Sequence, residues 1–201
     1  MPDVSTGTYF YSTSRYVRRK TTEFLQYIFH ECELCSDFRF ESGSDTGIYI
    51  SSEYPDISIK HPQIIVSTGG FTHEPTGFGE FRGLRHSGSE VLEWGGRFNF
   101  DAVNIEVRTY SQDETEEIIG LCMFCFATKN LRDAFVSKTG ITPNITRTSV
   151  NEITRRLIPG TDKYEWIGGL RFPASIFWFS ELDENLIETI AKEYILNSSS
   201  A

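Results

Sequence analysis

Apolar positions recur at helical spacing in two separate stretches of the chain. From Ser14 to about Cys32, the positions Val17, Thr21, Phe24, Leu25, Ile28 and Cys32 trace one face, apolar except at Thr21. From Gln112 to about Lys129, a second stripe runs through Ile118, Ile119, Cys122, Cys125 and Phe126. Asp113, Glu114, Glu116 and Glu117 stand at the start of that stripe and Lys129 at its end, as the helix dipole prefers. Leu131 to Val136 predicts a further short helical segment that Gly140 would end. Near the C-terminus, Ser180 with Asp183 reads as a capping box. Leu182, Leu186, Ile187, Ile190 and Tyr194 then supply the stripe of a terminal helix.

Between these stripes the period drops to two. Asp37 to Glu41 alternates, and Gly47 to Ser51 follows as a second strand candidate. His61 to Ser67 is a short apolar run led by Pro62, which fits a strand buried on both faces. Phe98, Phe100, Val103, Ile105 and Val107 form an inward set whose parity changes after Phe100, which predicts a bulge near Asp101. Ile141 to Arg156 is extended and Thr-rich, and Phe172, Ala174, Ile176 and Trp178 predict a strong final strand. Residues 69–97 hold eight of the 16 glycines, and this density predicts a long loop excursion.

Strands and helices do not alternate strictly, so the expected class is α+β. It comprises one mixed, mostly antiparallel sheet with helices packed on one face, a long Gly-rich loop and a C-terminal helix. The expected organisation is a flexible arm over 1–13, a single domain over 14–196 with its excursion at 69–97, and a frayed tail over 197–201.

Charge and composition narrow the function. With 39% hydrophobic and 23% charged residues the chain reads as globular, and no apolar run approaches the roughly 18 residues of a membrane span. The N-terminus lacks a signal-peptide layout, so secretion is not expected. A formal net charge of -9 argues against a surface that embraces duplex DNA. The one basic run, Arg15, Arg18, Arg19 and Lys20, reads as a solvated helix face.

Candidate chemistry is thin. The four cysteines fall in two C-x-x-C pairs, Cys32/Cys35 and Cys122/Cys125, a spacing that suits zinc. The pairs are separated by much more chain than the roughly 15–20 residues between the halves of a zinc ribbon. Three of the four cysteines lie on apolar stripes, where a free Cys packs as a small hydrophobe, so core packing is preferred over metal. His30, His61, His73 and His86 show no ligand spacing, although His73 and His86 have Glu74 and Glu80 near them. Gly77 to Gly83 matches neither a dinucleotide nor a kinase fingerprint, and no nucleophile elbow or phosphate loop occurs. No catalytic, cofactor-binding or metal residue is therefore expected, and no enzymatic activity. The unusual features are aromatics: Tyr9, Phe10 and Tyr11 in the arm, and Phe71, Phe78, Phe81 and Trp94 in the Gly-rich excursion. Neighbouring subunits are the usual cover for such residues, unless the excursion folds back on its own domain.

Ile48 to Asp56 followed by His61 to Thr68, and later Ala102 to Val107 running through Ser111 to Glu116 into the Cys122 helix, resemble the tail-terminator and neck proteins of tailed bacteriophages. The likeness covers roughly residues 14 to 180 as an order of elements. It implies a virion structural protein assembled in the host cytoplasm, forming a ring, commonly a hexamer, that joins the tail tube to the head connector. The implied partners are other copies of itself, the tail tube and connector proteins, and DNA that passes without specific binding. A small zinc-binding or adaptor protein built on the two C-x-x-C pairs is the alternative.

Overall fold

The computed structural model describes residues 7–42, 47–52, 62–75, 81–86 and 90–183, with side chains over 13–42, 47–52, 62–74 and 96–177. Helix α1 spans Gly7–Glu31 and is followed by a 3-10 turn at Glu33–Phe38. The strands are β1 (Tyr49–Ser51), β2 (Gln63–Thr68), β3 (Phe71–Pro75), β4 (Phe81–His86) and β5 (Glu90–Thr109). Then come α2 (Gln112–Ala127), α3 (Lys129–Thr139), β6 (Ile141–Pro143), β7 (Ser149–Leu157) and β8 (Tyr164–Asp183).

The eight described strands belong to one mixed sheet, and the fold is α+β. Its spine is the antiparallel pair β5–β8, two strands of 20 residues each, in register from Val91↔Asp183 to Thr109↔Trp166. Along the free edge of β5 lie β2, β3 and β4 in turn, all antiparallel to it. Along the free edge of β8 lie β6 and β7. Among the described strands only β1 runs parallel, on β2. The bulge expected near Asp101 is present, because the β5–β8 register shifts between Phe100 and Val103. Gly69 and Gly70 make a matching corner there: Gly69 N–H donates to Ala102 O at 2.8 Å and Asp101 N–H to Gly70 O at 3.0 Å. The same bulge therefore divides β2 from β3.

The helices cover one face. Val17, Phe24, Leu25, Ile28 and Phe29 of α1 are buried with Ile118, Ile119, Cys122, Cys125 and Phe126 of α2 in one core cluster. An aromatic group closes it: Phe126 stands 5.8 Å from Phe24, 5.4 Å from Phe135 and 4.8 Å from Phe172, centroid to centroid. Helix α3 ends at Gly140 in the left-handed region (φ 70), whose N–H donates to Val136 O at 2.8 Å. Tyr16 Oη donates to Thr139 O at 2.9 Å and ties α1 to that end. Gln26 Nε2 donates to Ile50 O at 2.9 Å and ties α1 to β1.

Four expectations change. The 69–97 stretch is not a loop: β3, β4 and the first part of β5 pair within it. Of its described glycines, Gly69 and Gly70 form the corner, Gly83 follows a register irregularity, and Gly95 and Gly96 pair with Phe179 and Trp178. A distant strand therefore supplies the order that the local composition lacks. Asp37–Glu41 is not a strand, because the 3-10 turn brings Cys35 and Phe38, three apart, to the core side. The expected boundary at residue 14 lies inside α1, which starts at Gly7. Ser180 and Asp183 do not begin a helix, since β8 continues through Asp183 against β5. The remaining stripe of that expected C-terminal helix, Leu186 to Tyr194, lies outside the described residues, as does the tail 197–201.

Candidate functional site

The two C-x-x-C pairs meet. Cys32 closes α1, its N–H donating to Ile28 O at 2.9 Å, and the following turn is held by Cys35 N–H to Cys32 O at 2.9 Å. Helix α2 packs on this turn with Cys122 and Cys125. Cys35, Cys122 and Cys125 are buried and Cys32 is half-buried, all as free thiols. Burial pushes Cys35 up to about 11, with Cys32 beside it adding to the shift. Burial likewise pushes Cys125 up to about 12, with Cys35 and Cys32 contributing, and raises Cys122 well above its ordinary value, with Cys125 and Cys35 contributing. The thiols thus sit near enough to repel one another's charge, and as neutral groups they fill the core. Among the described residues no three Cys, His, Asp or Glu side chains stand in an arrangement that could hold a metal ion.

The histidines separate. His30 Nδ1 lies 3.0 Å from Phe40 O at the exposed end of α1. His73 is exposed on β3, its ring 5.0 Å from Phe98. His86 belongs to β4, and His61 lies outside the described residues. Glu74, beside His73, accepts hydrogen bonds from Arg97 Nη2 at 2.6 Å and Asn99 Nδ2 at 2.9 Å, which hold its carboxyl below the usual range. Glu80 lies outside the described residues. Within the basic run, Arg19 and Lys20 both pair with Glu23 on the helix surface, at 3.2 and 2.7 Å.

The acidic cluster is held out by a buried polar knot. Thr109 Oγ1 lies 2.9 Å from Thr115 Oγ1 and accepts from Ser111 N–H at 3.0 Å, while Thr115 Oγ1 donates to Ser111 O at 2.9 Å. These bonds satisfy the turn between β5 and α2 without a side-chain cap from Ser111. Asp113, Glu114, Glu116 and Glu117 project from the first turns into solvent.

Two surfaces carry no counterpart in the sequence reading. Strand β7 is exposed at eight of its nine positions, with only Ile153 partly covered, and its outer edge is unpaired among the described strands. A groove of about 680 Å³ opens where the β5 bulge, β6, the Ile145–Arg147 turn and the start of α3 meet. Arg97, Arg132 and Arg147 line it with Asn99, Asn144 and Ser175. Arg147 belongs to the Thr-rich extended stretch with Arg155 and Arg156, a local basic signal, but the approach of Arg97 and Arg132 depends on long-range pairing.

No protein-family model matches the chain, and no curated protein matches it. Among the described residues no helix is long and apolar enough to cross a membrane.

Proposed function

We propose that this chain is a virion structural protein, a ring-forming tail-terminator or neck subunit that joins a phage tail tube to the head connector. The observation that supports it is the long β5–β8 ribbon and what it leaves bare. It carries β3 and β4, which pack chiefly on β5, past the helix-covered core. It also carries β7, exposed at eight of its nine positions and unpaired on its outer edge among the described strands. Phe71 and Phe177 are 45% and 46% exposed where the extension begins, and Val150 and Leu157 of β7 are 51% and 48% exposed. Unpaired edges and apolar side chains of this kind are liabilities for a lone subunit and assets for an assembled one. In this reading the protein performs no catalysis. Its net charge of -9 lets DNA pass without adhesion.

The test is the mass in solution. A closed multiple of the 23.0 kDa chain is expected, and a monomer at every accessible concentration overturns the reading. Duplex DNA should show no salt-sensitive binding at moderate ionic strength. Tight binding that weakens steeply with salt, and is abolished by neutralising Arg15, Arg18, Arg19 and Lys20, overturns the conduit role.

A zinc-binding adaptor is the second reading, and one observation favours it: the chain's four cysteines converge although the pairs lie far apart in sequence. Elemental analysis of the purified protein decides it, with about one zinc per chain expected if the thiols are ligands.

A further inference from the structure

The groove and the acidic turns of α2 have opposite charge and lie at opposite ends of the helix-covered half of β5. At the groove end, Arg97 is matched by Glu74 at 2.6 Å. Arg132 and Arg147 make no ion pair among the described residues. Asp101 is the one acidic residue in the lining, so an excess of positive charge faces the opening. At the other end, Asp113, Glu114, Glu116 and Glu117 are all exposed, and only Glu116 has a local polar partner, Gln112 Nε2 at 3.0 Å. From Phe100 at the groove to Thr109 at the acidic end, β5 spans about 30 Å at a strand's rise per residue. Both patches are fixed to the β5–β8 ribbon: one through the β5 bulge and through β6 on β8, the other through the Thr109–Thr115 knot. Neither can reach the other within one subunit.

We propose that the groove receives the acidic first turns of α2 from a neighbouring copy of this chain. Asp113, Glu114, Glu116 and Glu117 of one copy face Arg132 and Arg147 of the next. Guanidinium–carboxylate pairs are directional and favour a defined register. A contact between two different patches is heterologous, and it closes a ring when the rotation from copy to copy completes a circle. The proposal rests on the ring reading above and names the interface that builds it.

The experiment follows the sedimentation mass of the full chain at low and moderate salt. Arg132→Glu with Arg147→Glu should reduce the assembly to the 23.0 kDa chain. Glu114→Arg with Glu117→Arg should do the same. Combining all four substitutions in one chain should restore assembly, because both patches are then reversed together. Far-UV circular dichroism checks that each variant folds, and Arg132→Gln with Arg147→Gln gives a milder version that should weaken assembly in the same direction. If the wild type assembles and the charge-reversed pairs assemble equally well, the groove interface is overturned while the ring reading stands. If the wild type is monomeric throughout, the ring reading falls and takes this interface with it. Loss of duplex DNA binding in the arginine variants, with assembly intact, would assign the groove to nucleic acid and overturn the proposal.

Discussion

Strands β2 and β7 flank the same β5–β8 ribbon on opposite sides and meet opposite fates. Strand β2 is buried at its first four positions, Gln63 to Val66. Ile64 and Val66 join the core under the helices, and Ile65 is buried outside that core cluster. In β7 the apolar residues Val150, Ile153 and Leu157 recur at three- and four-residue intervals, so a strand cannot gather them on one face. A register shift between Asn151 and Thr154 aims Ile153 at α2, while Val150 and Leu157 stay exposed. One side of the ribbon is finished within the subunit. The other stays exposed among the described residues.

The comparison breaks most visibly at β2. Ile64→Ala should cost about 3 kcal/mol by chemical denaturation, since a fully buried side chain is removed from both helix and sheet contacts. A loss below 1 kcal/mol, by the same measure, would mean that β2 is not the finished side.

Gly168 of β8 sharpens the picture where α2 and β7 meet. A Cβ there would stand 2.9 Å from Ile119 Cδ1 and 2.8 Å from Ile153 Cγ1. Gly168→Val should cost about 2 kcal/mol, partly relieved by Ile153→Ala. Absence of any relief would sever the link between α2 and β7.

The cysteines come next. Cys125→Ala should cost about 1–2 kcal/mol through lost packing. The thiol pKa values are raised in the folded protein, so their contribution to stability is complete below the unfolded value of 9.0. It is lost as pH rises through about 11 for Cys35 and about 12 for Cys125. Stability should therefore fall above pH 9, and less steeply in the Cys125→Ala variant. An identical slope in both proteins would place Cys125 in a wetter site than the core.

The smallest effect on the isolated chain is expected in β7. Val150→Ser and Leu157→Ser should each shift stability by less than about 0.5 kcal/mol, yet raise the concentration at which subunits assemble. An unchanged assembly midpoint would show that the bare side of the ribbon is not where copies meet.

Much of the covered side was legible in the sequence because its signals are local. The unbroken apolar run Ile64 to Val66 implied burial on both faces, and the parity change after Phe100 located the bulge. The acidic start and stripe of α2 placed that helix to within two residues of its end. The extension was not legible, because glycines at 69–97 signal a loop until β8 is known to lie opposite Gly95 and Gly96. The cysteines were legible in part. The second stripe marked Cys122 and Cys125 as buried, but the first marked Cys32, which is half-buried, and missed Cys35, which the 3-10 turn brings to the core. Nothing local said that two turns so distant in the chain would meet. The arginine groove gathers Arg97, Arg132 and Arg147 from three elements, and only Arg147 lies in a locally basic stretch.

The length of the β5–β8 pairing also sets an order of events during folding. Its shortest link in sequence is Thr109↔Trp166, and its longest is Val91↔Asp183. Everything from α2 to β7 lies inside the first of these, so a large loop must close before the two strands can begin to pair, an entropic cost that slows barrier crossing. Once Thr109 and Trp166 meet, each further pair adds little loop, and the ribbon closes from the helix-covered end outward. The far end, with β4, is then the last to form. It should also be the first to exchange its amide hydrogens, a built-in sequence of protection that runs along a single strand.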